Sequence, residues 1–399
     1  MKLSEKLSEL LRTAVDSDAT DLLFIPESPI TMRVDGEMID IAETPFTQDE
    51  IQQIAEFMVT DSQREEFEQE SELNFSYERE ETGRFRVNIY NSHSGISMVC
   101  RIVKMEIPSI DQLLLPPVLK ELIMEDRGLI LVTGAVASGK SSTLAALIDY
   151  RNNARTGHIV TVEDPLEFLH IRKKSLISQR EVGIDTESYS KALKNVLRQS
   201  PDLISIGEIR DTETMSHALH FAETGHLLLS TLHATNTYQA LERIINFYPL
   251  EARPNILLQL SINLRAIISQ RLIPRMDGNG LIVAVGVMLD TPRIRALIAK
   301  GDLRSIVAQV EERNQTGMLS IDQAILSLYE QGAISEEESL RFADSSNNVG
   351  IRIRQLENTR RQQKESEESE QDQKLDSDTG YVPLNRRSLR TRTRKTKKS

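Results

Sequence analysis

Hydrophobic and polar positions change their spacing along the chain near residue 104. Before that point, apolar residues alternate with polar ones in the runs ELNFSYE, GRFRVNIY and GISMVCRIV, a pattern that predicts antiparallel strands. Asp35-Gly36 lies between two apolar runs, which predicts a β-hairpin. Helical spacing is seen in residues 3–11, and two polar-faced helices are expected near Gln48–Val59 and Asp61–Glu70.

After the proline-containing segment KMEIPSIDQLLLPP, continuous apolar runs alternate with helical patterns. GLILVTG, HIVTVED, LISIG and GHLLLSTLHA are these apolar runs. Such alternation predicts a parallel sheet covered by helices on both faces. Further helices are expected at Thr237–Phe247, Pro254–Gln270, Pro292–Ala299 and Ile321–Gln331.

The predicted fold class is therefore α/β, with four parts along the chain. Residues 1–104 form an α+β domain and residues 105–117 a linker. Residues 118–352 form the parallel-sheet domain with its C-terminal helices. Residues 353–399 are polar and almost free of apolar side chains, so this segment is expected to be disordered. It ends in a basic cluster made of Arg386, Arg387, Arg390, Arg392, Arg394, Lys395, Lys397 and Lys398.

Composition narrows the possible functions. The formal net charge of -12 does not favour non-specific binding of nucleic acid by the body of the protein. Cys100 is the only cysteine, which excludes an internal disulfide and a four-cysteine zinc site. No run approaches the roughly 18 consecutive apolar residues of a membrane span. A cytoplasmic protein is expected.

The segment GAVASGKS, Gly134–Ser141, matches the phosphate-binding loop pattern G-x-x-x-x-G-K-[ST]. It follows an apolar strand and opens a helix, as that loop requires. Backbone amides would then face the phosphates of ATP, with Lys140 beside them and the Ser141 hydroxyl on Mg²⁺. The predicted nucleotide-binding residues are Gly134, Ala135, Val136, Ala137, Ser138, Gly139, Lys140, Ser141 and Ser142.

Further polar residues follow the predicted strands, where ligands bind in open α/β sheets. Glu208 ends the strand LISIG, and Gly207 stands where an aspartate is common. Glu163 ends the strand HIVTVE. His226 and His233 stand at opposite ends of a third strand, roughly 20 Å apart at 3.3 Å per residue. They cannot share one metal ion. A carboxylate at a strand end can also simply cap the next helix.

These segments, in this order and spacing, resemble the Walker A, Asp box, Walker B and His box of the secretion and pilus ATPase superfamily. RFRVN and ALERIINFYP fit as well. The match is closest to the PilT/PilU type of type IV pilus retraction ATPase, and closer to the PilU than to the PilT members. The resemblance covers nearly all of residues 3–348. It implies a PAS-like first domain, a RecA-like second domain and a hexameric ring.

The resemblance also implies a role for each matching residue. Glu163 is expected to orient or deprotonate the attacking water, and Glu208 to hold Mg²⁺ through water together with Ser141. The His-box residues would link the phosphate to the neighbouring subunit, and the arginines would reach the nucleotide across the subunit interface. Together with Lys140, the implied catalytic set is Glu163, Glu208, His226, His233, Arg86 and Arg101.

The implied partners are other copies of the chain in a homo-hexamer, a related retraction ATPase and an inner-membrane pilus platform protein. The resemblance implies ATP hydrolysis that drives pilus retraction and twitching motility, performed by a PilU-like accessory motor. The basic cluster allows contact with anionic lipid at the inner membrane, with nucleic acid or with acidic faces of the ring, or none of these. Nucleic acid is not expected as a partner of the whole protein.

Alternative functions remain open. Ala137 replaces a glycine usual in this family, and a Cβ there crowds the loop if the position needs a positive φ. This substitution favours a nucleotide-binding scaffold that supports a more active partner ATPase. A secretion or assembly ATPase of the same superfamily commonly carries a four-cysteine insert, which this chain lacks. A nucleic-acid motor is a further alternative.

Overall fold

The structure is a computed structural model. It describes residues 3–34, 36–41, 44–79, 82–103, 106–312 and 317–379, the side chains up to residue 363. Two β-sheets organise the described residues. Neither sheet shares strands with the other, which agrees with the change of pattern near residue 104.

The first sheet has six antiparallel strands in the order β3-β2-β1-β6-β5-β4. Its strands and their helices are β1 (Asp21–Phe24), β2 (Thr31–Val34), β3 (Glu37–Asp40), β4 (Glu72–Arg79), β5 (Gly83–Ser92), β6 (Gly95–Val103), α1 (Leu3–Asp16), α2 (Gln48–Met58) and α3 (Asp61–Glu70). Val34 pairs with Glu37, so the predicted hairpin between these two strands is confirmed, while Asp35 itself lies outside the described residues. We refer to these elements as the N-terminal unit.

Both helices predicted after the hairpin are confirmed within one residue, because each begins with a strong local signal. Thr47 and Glu50 form a reciprocal capping box at the start of α2. Thr60 and Gln63 form a second one at the start of α3. Each box satisfies amide groups that a helix N-terminus otherwise leaves without partners.

The second sheet has seven strands in the order β13-β12-β7-β11-β10-β8-β9, all parallel except β13. Its strands are β7 (Gly128–Gly134), β8 (His158–Glu163), β9 (Leu176–Glu181), β10 (Leu203–Glu208), β11 (Leu227–Leu232), β12 (Leu264–Pro274) and β13 (Leu281–Leu289). We refer to this sheet and its helices as the P-loop unit.

Helices cover both faces of this sheet, as the continuous apolar strands predict. The helices of the P-loop unit are α4 (Val118–Leu122), α5 (Lys140–Ala154), α6 (Tyr189–Val196), α7 (Thr212–Glu223), α8 (Thr237–Asn246), α9 (Arg253–Asn263), α10 (Pro292–Lys300), α11 (Leu303–Glu311), α12 (Ile321–Glu330), α13 (Glu336–Phe342) and α14 (Ser346–Thr379), of which α14 packs on α12 and α13. One hydrophobic core joins the sheet to α6–α11, and a second core on the opposite face joins it to α4 and α5.

Two expectations differ from the structure. The helix expected over Pro254–Gln270 ends at Asn263, and strand β12 begins at Leu264. The run AIISQRLI is apolar and β-branched and lies beside β7 in the sheet interior, and periodicity alone cannot distinguish such a run from a buried helix. The segment from residue 353, expected to be disordered, instead continues α14 to Thr379. Its abundant Glu, Gln, Lys and Arg have high helix propensity.

The two units touch at a buried ion pair. Arg84 of β5 contacts Glu181 at the end of β9, with 3.5 Å between Nη2 and Oε2. The exposed fractions of these side chains are only 16% and 4%. A cleft of about 860 Å³ lies beside this contact, and its lining includes Arg84, Ser142 and Phe168.

The basic cluster from Arg386 to Lys398 lies outside the described residues. Within the described part of the chain, no helix combines the length and hydropathy needed to cross a lipid bilayer.

Candidate nucleotide site

The predicted phosphate loop lies between β7 and α5, at the carboxyl end of the sheet. Every residue of β7 is buried, so the loop is anchored in the core. Gly139 ends the loop with a φ of +84°, a conformation that glycine adopts without strain. A Cβ on Gly134 would lie 2.2 Å from the Ser138 hydroxyl and 2.8 Å from the carbonyl of Gln270. The close approaches explain the glycine at the start of the loop, and the positive φ explains the glycine at its end.

Ala137 adopts a φ of +60°. The condition under which its Cβ would strain the loop is therefore met. For a residue with a Cβ, the left-handed conformation costs roughly 1–2 kcal/mol. Glycine at this position would avoid that cost.

Lys140 opens α5 with its ammonium group folded back onto the loop. Nζ donates to the carbonyl oxygens of Gly134, at 3.0 Å, and Ala135, at 2.6 Å. Burial lowers the pKa of Lys140, while the carboxylates of Glu208 and Glu167 oppose that shift. The charge needed beside a polyphosphate is therefore held in place by the loop itself.

Glu163 stands at the end of β8, facing the same cavity as Lys140. Its Oε1 accepts a hydrogen bond from the Thr161 hydroxyl at 2.7 Å, and Gln179 Nε2 lies at 3.5 Å. Burial raises the pKa of Glu163 to about 7, with Glu167 and Glu181 adding to the shift and both hydrogen bonds opposing it. A carboxyl group with this pKa is suited to accept a proton near neutral pH.

Glu208 ends the neighbouring strand β10, and both of its carboxylate oxygens have partners. His233 Nε2 lies 2.9 Å from Oε1, and Arg210 Nε donates to Oε2 at 2.7 Å. Arg210 Nη1 also lies 3.6 Å from Asp164 Oδ2. One guanidinium group therefore joins the carboxylate that ends β10 to the carboxylate that directly follows β8.

Gly207 allows this close arrangement. A Cβ on Gly207 would lie 2.8 Å from the Tyr189 hydroxyl and 3.2 Å from the Cα of Glu163. The aspartate common at this position would not fit without moving Tyr189. Burial raises the pKa of Tyr189, and Asp164 adds to the shift.

Lys140, Glu163 and Glu208 line one cavity of about 480 Å³ that extends along α5 to Phe168 and His170. The buried hydroxyls of Ser138 and Ser205 line it, and neither has a hydrogen-bond partner among the described residues. Ser141 and Ser142 line it as well. The described residues contain no cluster of three or more His, Cys, Asp or Glu side chains with the geometry of a metal site.

Not all predicted residues meet at this cavity. Of the predicted loop residues, Gly134 and Ala135 do not line it. His233 lines it, whereas His226 precedes β11 at the opposite end of the strand and contacts the Thr224 hydroxyl. Arg86 and Arg101 face each other on β5 and β6 of the N-terminal unit. Arg101 Nε donates to Asp21 at 2.9 Å. His226, Arg86 and Arg101 are therefore absent from the lining of the cavity within one chain.

Three residues at the site were missed by sequence reasoning. Arg210 follows Glu208 by two positions, and its place after a strand end was an available signal. Thr161 precedes Glu163 by two positions, which puts both side chains on one face of β8. Gln179 gave no local signal, because only the pairing of β9 with β8 brings it near Glu163.

Comparisons with known proteins identify the family and the fold of the chain. The family model described as "Type II/IV secretion system protein" matches residues 2–363. The type IV pilus ATPase PilU of Pseudomonas aeruginosa is 41% identical over 88% of this chain and 91% of its own length. The type IV pilus retraction ATPase PilT of the same organism is 38% identical over 84% of this chain and 96% of its own.

A solved structure is similar over the whole fold. The crystal structure of the pilus retraction motor PilT with bound ADP has a TM-score of 0.79 at 34% identity, covering 85% of this chain and 97% of that one. The ATPase DotB of Legionella pneumophila, at 24% identity and a TM-score of 0.71, shows the same fold. From the family match and these relatives together, we conclude that the chain belongs to the type II/IV secretion system protein family.

Proposed function

We propose that this protein is a type IV pilus retraction ATPase that hydrolyses ATP to ADP and phosphate in the cavity beneath the phosphate loop. The observation that carries the proposal is the meeting of the loop, Lys140, Glu163 and Glu208 at one cavity. Its relatives PilU and PilT are named pilus ATPases. The closer identity to PilU supports an accessory motor of the PilU type.

The phosphate loop supplies the groups that a polyphosphate needs. The N-terminus of α5 provides amide donors and a favourable dipole. The Lys140 ammonium group donates to two loop carbonyls. When a nucleotide binds, it would donate to phosphate oxygens instead. The unpartnered hydroxyl of Ser138 is buried in the loop, and a phosphate oxygen would satisfy it. ATP therefore fits the polarity of the predicted loop residues.

The donor set also fits Mg²⁺. The Ser141 hydroxyl and the Glu208 carboxylate line the cavity, and Mg²⁺ is typically bound by one or two such oxygens together with phosphate and water. When bound, the ion would neutralise charge on the phosphates. Because Arg210 and His233 already lie against the two oxygens of Glu208, contact through water suits this carboxylate better than direct ligation.

Glu163 is proposed as the general base. Its carboxylate lies at the end of β8. Because its pKa is about 7, a large fraction of this group is ionised near neutral pH while it remains a strong enough base to take a proton. Thr161 fixes the orientation of the carboxylate, and Gln179 supports it weakly. Glu163 would take the proton of the attacking water as the bond to the γ-phosphate forms.

The residues outside the cavity are proposed to act between subunits of a homo-hexamer. Arg86 and Arg101 would be supplied by a neighbouring copy, where an arginine stabilises charge on the transferring phosphoryl group. His233 and His226, at the two ends of β11, would connect the site to the subunit interface. A related retraction ATPase and the inner-membrane platform protein are the proposed partners, with a peripheral membrane contact through the basic cluster.

We propose a PAS-like fold for residues 1–104 and a RecA-like fold for residues 118–352, joined by the linker 105–117. The sheet order of the N-terminal unit and the seven-stranded sheet of the P-loop unit support these assignments. The remaining residues, 353–399, would form a separate C-terminal segment.

A scaffold with weak hydrolysis is the second candidate. The positive φ of Ala137 favours it, because a Cβ in this conformation strains the phosphate loop and would reduce nucleotide affinity or turnover. In this function the protein would bind nucleotide within a ring and support a more active partner.

Turnover of the purified full-length protein tests the proposal. We expect Mg²⁺-dependent phosphate release that is lost in Lys140→Ala. Lys120→Ala is the matched control, because this lysine pairs with Asp111 on the surface and should leave turnover unchanged. Absence of nucleotide binding by the wild-type protein would contradict both functions. Binding with little turnover, rising when the partner ATPase is added, would favour the scaffold.

Cells provide the second measurement. A strain whose only copy carries Glu208→Ala should lose pilus retraction if hydrolysis by this chain is required. Normal retraction in that strain would favour the scaffold function.

A further inference from the structure

We propose that Arg210 is a positioning residue for turnover, which orients Glu208 and Asp164 from within the same chain as the phosphate loop. This inference rests on the proposed ATPase function and adds a residue to its machinery. Arg210 would act through the two carboxylates rather than through contact with the phosphates.

The topology of the sheet creates the need for such a residue. Strands β8 and β10 are adjacent and parallel, with Val162 opposite Ile206. Their carboxyl ends therefore lie side by side, so that Asp164 and Glu208 face the same cavity. Two carboxylates that face one cavity repel each other unless a cation lies between them.

The guanidinium group of Arg210 counters that repulsion with directed contacts. Nε donates to Glu208 Oε2 at 2.7 Å, and Nη1 lies 3.6 Å from Asp164 Oδ2. The bond to Glu208 raises the pKa of Arg210, which shows that the pair favours its charged form. A planar guanidinium can address two carboxylates at once, which an ammonium group does less well.

The main consequence of the Arg210 contact is the orientation of Glu208, because the contact adds little to the free energy of folding. The Arg210 side chain has an exposed fraction of 57%, and exposed ion pairs contribute little to folding. The Glu208 side chain has an exposed fraction of only 12% and is held at its other oxygen by His233. Arg210 and His233 therefore fix both oxygens of Glu208.

Lys140 is the group toward which a released Glu208 would move. Glu208 already acts electrostatically on the Lys140 ammonium group. Without Arg210, the carboxylate would turn toward this cation and away from the position where it can hold water on Mg²⁺. The loss should appear in turnover and in the response to Mg²⁺, and not in the binding of nucleotide alone.

The test uses the full-length protein carrying Arg210→Gln, with Arg155→Gln as the matched control. Arg155 is also partly exposed and pairs with Asp126 at 2.7 Å, remote from the cavity lining. We expect Arg210→Gln to lower kcat about 10–100-fold, as loss of a supporting contact typically does. The Mg²⁺ concentration for half-maximal turnover should rise, while the Kd of a fluorescent ATP analogue measured in EDTA stays within about threefold of wild type.

Several results would overturn the inference. They are wild-type kcat and Mg²⁺ dependence in Arg210→Gln, an equal loss in Arg155→Gln, or a Kd in EDTA that rises as much as kcat falls. The last result would make Arg210 a direct phosphate ligand. If Arg210→Gln does not fold, Arg210→Lys carries the same test, with an intermediate kcat expected because a lysine reaches only one carboxylate. A wild-type protein that binds but does not hydrolyse ATP would refute the ATPase proposal and, with it, this positioning role.

Discussion

Replacing Glu163 with glutamine should stabilise the fold above pH 7 while it removes most of the turnover. Burial raises the pKa of Glu163 from 4.5 to about 7, so the folded protein binds this proton more tightly than the unfolded chain. The favourable contribution of the Glu163 carboxyl group to the stability of the fold is complete below pH 4.5, and it is lost as the pH rises through 7. Above pH 7 the folded state holds an ionised carboxylate that its surroundings disfavour.

The size of the effect follows from the two pKa values. Their difference corresponds to a free energy on the order of 3 kcal/mol, of which about 2.5 kcal/mol develops between pH 5 and pH 8. Glutamine has the same shape and no charge to desolvate, and its amide oxygen can accept the hydrogen bond from Thr161. The stability advantage of Glu163→Gln should therefore grow across this range, widening the difference in Tm by about 5–10 °C.

Thermal unfolding of both proteins without nucleotide, at several pH values between 5 and 8, measures this difference. Glu167→Gln is the control, because Glu167 is an exposed carboxylate that lines the same cavity, and its replacement should give a much smaller change with pH. In parallel, kcat of the variant should fall by about 10²–10⁴, and wild-type kcat should rise with pH up to about 7. A constant Tm difference from pH 5 to pH 8 would refute the assignment of a desolvated carboxyl group at Glu163.

Three further changes test other parts of the structure. Ala137→Gly should raise the free energy of unfolding by up to about 1 kcal/mol, because relief of strain exceeds the added flexibility of the unfolded chain; a loss of stability in denaturant unfolding would contradict this. Arg84→Ala should cost about 3 kcal/mol by leaving Glu181 buried without its partner, and adding Glu181→Gln should restore most of it in a double-mutant cycle. Gly207→Ala should destabilise the protein by about 1–3 kcal/mol through its contact with the Tyr189 hydroxyl, and unchanged denaturant midpoints would contradict it.

Local signals made much of the fold predictable. The Asp35-Gly36 hairpin and the helices beginning after Thr47 and Thr60 are specified by residues adjacent in sequence, and the structure confirms them. The phosphate loop was recognised because its motif spans only eight residues between a strand and a helix. Strand β12 was misassigned because its apolar run satisfies a buried helix equally well, and only its place beside β7 decides between the two.

The candidate site could be predicted only for those residues that directly end or follow an apolar strand in the sequence. Glu163 and Glu208 meet at the cavity as two adjacent parallel strands require. The contacts of Arg210 with Glu208 and Asp164 could not be derived, because they depend on side-chain directions across two strands. His226 and His233 were placed at opposite ends of one strand by sequence, and β11 separates them in this way, so that only His233 lines the cavity.

The order of strands in the P-loop unit has a consequence for synthesis. Strand β7 lies between β11 and β12, so one edge of the strand that carries the phosphate loop stays open until the ribosome has produced residues up to Pro274. The antiparallel sheet before it is complete by Val103. A nascent or prematurely terminated chain would thus display a finished first unit beside an apolar strand edge. Such edges recruit other chains, and chaperones or proteases would be expected to act on this species first.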